Sequence, residues 1–447
     1  MNLDQFVIFV ENLPGLLNVG PVIAATRRGA GSVCATGVLN LEGTPDCAVA
    51  RNAMDRVARL AHGEFAVKLN AYLENSELIR ALPKAASTVI LTGTLAGAFG
   101  AVAASLKTTG RRVLAEVTSS EELQIALGAG VDGLIAKGQE AGGIVGEETS
   151  FILLQRLLRE CSLPVWIHGG IGPHTVSACY AGGAAGVVLD SQVLLTAESS
   201  IPSKLRAALE RAGGDETLCL GRELQILTRL WKRPGMKATE ELEKLEIDLR
   251  SKPLPEAQAA WRKALIDGAR WKNPETDFWL LGQDSVFAAA FASRYGTVAG
   301  VIDALRSAIV DHVTAAQRLA PLGRNSALAR EHATDYPILQ GPMTRVSDTA
   351  EFANFVAEGG GLPFLALALL RGPQVRRLME KTRDLAGAKS WGVGILGFVP
   401  TELREEQLAV VRDIKPPFAL IAGGRPDQAA SLEKLGIRTY LHVPAPP

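Results

Sequence analysis

From residue 20 to about 195, short apolar runs alternate with amphipathic stretches. The runs fall at 21–24, 32–35, 65–69, 88–91, 112–115, 133–136, 164–167 and 186–189, and their length and β-branched content predict strands. Between them the spacing predicts helices. Residues 121–127 follow Ser119 and Ser120, which can cap an N-terminus, and 150–158 carry apolar side chains at helical intervals. Eight strands with helical crossovers is the count for a closed (β/α)8 TIM barrel. An open doubly wound sheet would share the local pattern. The strand count, and glycines clustered after the later strands, favour the barrel.

The pattern changes at 198–330. Glycines thin out and charged helical stretches dominate, as at 238–246, 256–264 and 298–306. This predicts a helical connector, with Trp231, Trp261, Trp271 and Trp279 packing helices onto a neighbour. From 331 to 447 the α/β rhythm returns, with strands predicted at 337–340, 362–365, 392–395, 418–421 and 438–442. Five strands cannot close a barrel, and the edge strand would expose unpaired backbone groups. The expectation is a first barrel over 1–197, a connector, and the N-terminal part of a second, incomplete barrel within a longer polypeptide. The two α/β regions look like a distant internal repeat.

Composition narrows the partners. The chain has 447 residues, 47% hydrophobic and 21% charged, with a formal net charge of zero. It is globular, and no basic excess points to nucleic acid or an anionic membrane. The N-terminus lacks the charged and apolar regions of a secretory signal, and no apolar run reaches the roughly 18 residues of a membrane span. The five cysteines are scattered without a CxxC pair, as expected of reduced thiols in a cytoplasmic protein.

Candidate chemistry lies in three glycine-rich segments, 138–146, 168–172 and 183–191, each set against an apolar run. In a barrel such loops bring bare backbone N–H groups to a ligand phosphate. Gly169 and Gly170 lack a Cβ, so backbone can approach closely there.

The opening Tyr336-Pro-Ile-Leu-Gln-Gly-Pro-Met343 resembles the first strand of nitronate monooxygenases and the flavin-dependent enoyl reductases related to them. The first region resembles the same family through Glu-Ala-Gly-Gly at 140–143, Gly-Gly-Ile at 169–171, and Gly-Ala at 183–184 leading to Asp190-Ser191. The doubled arrangement, with Gly282-Gln-Asp284 in the middle, is similar to the N-terminal part of large polyketide-synthase-like multienzymes. The resemblance implies an FMN-dependent oxidoreductase without a metal. It passes electrons to oxygen or to an enoyl group, acts on a small-molecule or carrier-bound acyl substrate, and has other synthase domains as partners. It puts the FMN phosphate at Gly170, Ile171 and the Asp190-Ser191 turn, with Gly169 a cofactor-binding position beside them, and gives Gly142 and Gly143 a loop near the flavin. Lys68 stands at a flavin-contacting Asn position, and Gln340 and Met343 belong to a loop against the flavin ring. FMN carries a terminal phosphate and a ring that must be held rigidly, which suits loops after the last two strands.

Several positions depart from the family pattern. The proton-handling His that follows Glu-Ala-Gly-Gly is here Ile144, and an alkyl side chain cannot titrate. Glu140 is expected to be a solvated or loop-bonded carboxylate, His168 a packed or hydrogen-bonded strand-end residue, and His174 the start of a helix. The family's Ala-Pro-Met after its first strand reads Ala25-Thr26-Arg27, and its Gly-Thr after strand eight reads Asp190-Ser191. Lys68 is expected to pair with Glu116, filling space a cofactor needs. No complete catalytic set can therefore be named. The expectation is a first barrel that kept its fold and lost its chemistry, with competent chemistry in the second. Two rivals are a non-catalytic scaffold that docks neighbouring domains, and a flavin-free barrel enzyme acting on a phosphorylated metabolite.

Overall fold

The computed structural model describes residues 3–30, 34–44, 46–71, 76–232, 236–271, 273 and 276–443. Two compact units divide the chain, Met1–Val313 and Thr314–Pro447.

In the first unit eight parallel strands close a barrel. They are β1 (Val7–Glu11), β2 (Ala35–Asn40), β3 (Phe65–Asn70), β4 (Ala86–Thr92), β5 (Arg112–Val117), β6 (Gly133–Lys137), β8 (Val165–His168) and β9 (Gly186–Leu189). The two-residue β7 (Gly143–Ile144) lies outside the cylinder. β1 closes the ring by pairing with both β2 and β9.

The barrel is the fold expected, with one correction at its start. The predicted strand at 21–24 is helical, within the helix Val19–Gly29. Val19, Val22, Ile23 and Thr26 are its buried face, and their spacing of three and four is that of one helical stripe. The first strand is instead Val7–Glu11. Ala25, Thr26 and Arg27 therefore do not follow a strand; Asn12, Leu13 and Pro14 do. Of the strand predicted at 32–35, residues 32 and 33 lie outside the described residues, and Ala35 opens β2.

The compact unit continues past 197. Residues 217–220 and 228–231 form β10 (Thr217–Leu220) and β11 (Thr228–Trp231), and β11 pairs antiparallel with β7 through Thr228 opposite Ile144. A second apolar core forms there around Trp231, Trp261, Trp271 and Trp279, all buried. Trp271 donates its indole N–H to the Pro14 carbonyl, at 2.7 Å, tying this layer to the loop after β1. The helix Val298–Leu319 then returns to the barrel. Its Val298, Val301, Ile302, Leu305 and Ile309 join the barrel's outer core, and Arg306 donates to the Leu3 carbonyl at 3.1 Å. Residues 191–297 are thus inserted between β9 and the helix that completes the outer ring. Among the described residues no single helix is long and apolar enough to cross a membrane.

The second unit holds a parallel sheet in sequence order: β12 (Leu339–Gln340), β13 (Leu362–Ala366), β14 (Gly392–Leu396), β15 (Phe418–Ala422) and β16 (Arg438–His442). Helices connect successive strands, and the curled sheet is an incomplete second barrel. All five strands lie where the apolar runs predict them.

Candidate functional site

Strand geometry sets the site. Successive side chains of a strand alternate between faces, so residues two apart point the same way. Inside the barrel one apolar residue from each strand forms a closed cluster: Phe9, Val38, Ala66, Ile90, Leu114, Ile135, Trp166 and Val188. Two residues further along each strand stands a polar side chain: Glu11, Asn40, Lys68, Thr92, Glu116, Lys137, His168 and Asp190, all buried. A polar ring therefore sits directly above the apolar layer, at the C-terminal end where barrel enzymes place their chemistry.

The charged members of the ring neutralise one another. Lys68 Nζ lies 2.6 Å from Glu116 Oε2 and 3.2 Å from Glu11 Oε1. Lys137 Nζ lies 3.4 Å from Glu116 Oε1. His168 Nε2 lies 3.1 Å from Asp190 Oδ2, while its Nδ1 is 3.6 Å from Glu116 Oε2, beyond hydrogen-bond distance. The pairing of Lys68 with Glu116 and the packed His168 agree with the sequence reading.

The network shifts each member's titration. Burial opposes charge on Lys68, but Glu11 and Glu116 outweigh it and raise its pKa. Burial likewise opposes ionisation of Glu116, yet Lys137 and Lys68 hold its carboxyl well below the usual range. Burial raises Glu11. For His168 burial again works against the cation, and the Asp190 hydrogen bond with the Glu116 and Glu11 carboxylates lifts it to about 9. Asp190 is held at about 2, its burial offset by His168 and the Ser191 amide. Glu11, His168 and Asp190 bring ligand atoms within 4.8 Å of one another, a spacing a metal ion could use. The Lys68 ammonium already supplies the cation at Glu11.

The glycine loops are also in place. Gly170 has φ of +71°, which suits glycine, and its N–H donates to Asp284 Oδ2 at 3.1 Å. Ser191 Oγ donates to Asp284 Oδ1 at 3.0 Å, and Gln192 Nε2 to Oδ2 at 2.8 Å. Ser191 N–H is taken by Asp190 Oδ1, and Gly172 N–H by Thr175 Oγ1 at 2.7 Å. Gly169 and Ile171 are buried in the same loop. Burial and the nearby Asp190 carboxylate push Asp284 up to about 7.

Asp284 reaches the loop because residues 280–284 lie across the Glu-Ala-Gly-Gly turn. Gln283 N–H donates to the Glu140 carbonyl at 2.8 Å. A Cβ on Gly142 would stand 2.3 Å from the Leu280 carbonyl oxygen, so this backbone approach needs glycine. Gly143 lies near Lys137, its ideal Cβ 3.7 Å from Nζ. Glu140 turns away, accepting from Ser150 N–H at 2.9 Å at the start of the helix Ser150–Glu160. His174 is exposed and stacks on His312, ring centroids 4.6 Å apart. Gln340 and Met343 belong to the second unit. Gln340 Oε1 accepts from Phe364 N–H at 3.3 Å, and Met343 N–H donates to Ser347 Oγ at 2.7 Å.

Beside the ring a cavity of about 680 Å³ opens at the strand ends, with Glu116 and Lys137 in its polar wall and Ile144, Leu227, Ile266 and Leu280 in its apolar wall. Glu11, Lys137 and Asp284 were not among the sequence candidates. A polar residue two places after the inward apolar residue of every strand is the signal that finds the first two. Asp284 lies 114 residues from Gly170, and no local pattern links them.

A closed parallel barrel with glycine loops and a cavity at its C-terminal mouth defines a TIM barrel of the enzyme type. The chain belongs to the nitronate monooxygenase family, an oxidoreductase family whose model matches residues 39–288. It is 28% identical over 237 residues to a (3aS,4S,5R,7aS)-5-hydroxy-7a-methyl-1-oxo-octahydro-1H-indene-4-carboxyl-CoA dehydrogenase of Mycobacterium tuberculosis, covering 46% of this chain and 64% of that protein. It is 36% identical over 118 residues to a nitronate monooxygenase of Paraburkholderia phytofirmans, covering 24% of this chain and 32% of that protein. The matches thus span under two thirds of these relatives. FabK from Thermotoga maritima superposes with a TM-score of 0.57 at 20% identity, over 69% of this chain and 94% of that chain. The enoyl reductase domain of MlnA from the macrolactin biosynthesis cluster of Bacillus amyloliquefaciens gives 0.54 at 9% identity, over 69% and 96%. These two structures attest the fold.

The first barrel's residues do not fit FMN. The donors that would meet its phosphate are spent on Asp284 and Asp190. Lys68, at the expected flavin-contacting position, is 1% exposed and locked between Glu11 and Glu116.

Proposed function

We infer that the chain is an oxidoreductase region, of the nitronate monooxygenase and enoyl reductase type, within a polyketide- or fatty-acid-assembly enzyme. Its FMN chemistry belongs to the second α/β unit, which opens with Gln340 and Met343, and the first barrel is a non-flavin partner. The substrate class is an acyl thioester, small or carrier-bound. The relative that acts on a carboxyl-CoA and the reductase domain from a macrolactin cluster support that class.

Ile144 carries the reading. It stands where the family resemblance places the proton-handling His, on β7 opposite Thr228 and in the cavity wall. An alkyl group there can shape a pocket but can neither give nor take a proton. FMN, when bound, supplies the two-electron chemistry. In the second unit the Gln340 and Met343 loop is the segment of this chain that would lie against it.

Flavin content tests this in a polypeptide that carries the whole second barrel, since five strands alone do not close one. FMN released on denaturation should be unchanged by Ile144→Trp, which places a bulky side chain in the wall of the first cavity, and reduced by Gln340→Ala with Met343→Ala. The reverse pattern contradicts the assignment. Protein that holds no FMN under any condition favours the second reading, a non-catalytic docking barrel. The fully paired polar ring supports that alternative.

A further inference from the structure

We propose that the first barrel carries a latent anion site closed by its own Asp284, whose carboxylate stands in for a phosphate. The proposal rests on the reading of this barrel as a non-flavin partner and adds what has closed it.

Three donors from two separate loops converge on one carboxylate. Gly170 N–H comes from the loop after β8, and Ser191 Oγ and Gln192 Nε2 from the turn after β9. They meet the two oxygens at 2.8–3.1 Å, within ordinary hydrogen-bond distance. Backbone amides and hydroxyls gathered after the last two strands of a barrel are an anion-binding arrangement. Here the anion is supplied by the chain itself, from a segment 114 residues beyond Gly170.

The occupant is held as firmly as the donors. Asp284 is 1% exposed and Ser285 2%. Gln283 N–H is bonded to the Glu140 carbonyl, and Gly282 lies so close to the same turn that a Cβ would stand 2.6 Å from the Glu140 carbonyl oxygen. Asp284 therefore sits on a fixed turn, with its backbone packed on the loop below. Charge reinforces the exclusion. A phosphate entering the nest would stand beside the buried carboxylates of Asp190 and Asp284, and the nearby His168 is already bonded to Asp190.

The ligand class of the opened site is a phosphate monoester or inorganic phosphate, since the donors carry no base- or sugar-reading group. Inorganic phosphate is the probe that separates this proposal from the flavin assignment, because FMN content reports on the second unit and phosphate reports on the nest. The full chain is titrated with phosphate by calorimetry and by thermal shift, as wild type, Asp284→Gly and Asp284→Asn. Wild type should show no saturable binding. Asp284→Gly should bind phosphate at least about tenfold more tightly than wild type, and Ser191→Ala placed in that background should weaken it. Asp284→Asn keeps the shape of the occupant and should stay closed. Saturable phosphate binding by wild type that Ser191→Ala removes overturns the proposal, whether or not the glycine variant folds. A folded Asp284→Gly chain that gains no phosphate binding overturns it as well.

Discussion

Lys68 and Glu116, on β3 and β5, face each other inside the barrel with Nζ 2.6 Å from Oε2, and both are buried. The pair is the centre of the polar ring, since Glu116 also takes Lys137 and Lys68 also takes Glu11. Each charge is compensated by the others. Removing one therefore exposes the desolvation cost of the rest. Lys68→Met should lower the unfolding free energy by about 3–5 kcal/mol. Replacing Lys68, Glu11, Glu116 and Lys137 together by apolar residues, which leaves no lysine of the ring unpaired, should recover most of that loss. Urea denaturation of the three proteins measures both effects. A Lys68→Met protein as stable as wild type would show that the pair is not load sharing.

The ring gives stability a defined pH dependence. His168 faces Glu11 from β1, Glu116 from β5 and Asp190 after β9, while Lys68 from β3 bonds the same Glu11 and Glu116. Its value of about 9 lies above the 6.5 of free imidazole, so its contribution is complete below 6.5 and is lost as pH rises through 9. Asp190, at about 2, lies below the usual 3.8, so its contribution is present above 3.8 and is lost as pH falls through 2. The unfolding free energy should fall between pH 6.5 and 9, and His168→Gln should flatten that decline. A decline that persists unchanged in the variant assigns it to another group.

Much of this was legible in the chain before any coordinates. The barrel followed from the alternation of apolar runs with amphipathic stretches, although the run at 21–24 is helical, and the Lys68–Glu116 pair followed from two opposite charges placed at the ends of buried strands. Ile144 was visible as an alkyl residue where proton chemistry needs an imidazole. Glu11 was hidden because the first strand was sought at 21–24, where Pro21 and three apolar residues look like a strand but form part of a helical stripe. Lys137 was masked by the glycine-rich segment that begins at Gly138. The role of Asp284 depends on a tertiary return of the chain across the Glu140–Gly143 turn, and hydrophobic periodicity carries no information about such a return.

Gly142 tests that return. With the Leu280 carbonyl oxygen 2.3 Å from any added Cβ, Gly142→Ala must push residues 280–284 off the turn. Hydrogen exchange at the Gly170 and Gln283 amides should accelerate, because each is bonded through that segment. Unchanged protection at both amides would mean that the segment is held by other contacts.

Ile144→His restores the imidazole at the family position. No gain in nitronate oxidation or enoyl reduction from the first barrel is expected. The Gly170, Ser191 and Gln192 donors remain bound to Asp284 in that variant. Turnover that appears with Ile144→His and is absent from wild type would assign the loss of activity to that residue alone.

The central claim is that the chain itself fills the phosphate nest of the first barrel. A crystal structure of the full chain grown with excess FMN measures this directly. The expected result is an Asp284 carboxylate within hydrogen-bond distance of Gly170 N–H, Ser191 Oγ and Gln192 Nε2, with no flavin in that barrel. An FMN phosphate seated on Gly170 N–H, with Asp284 swung away, would contradict it.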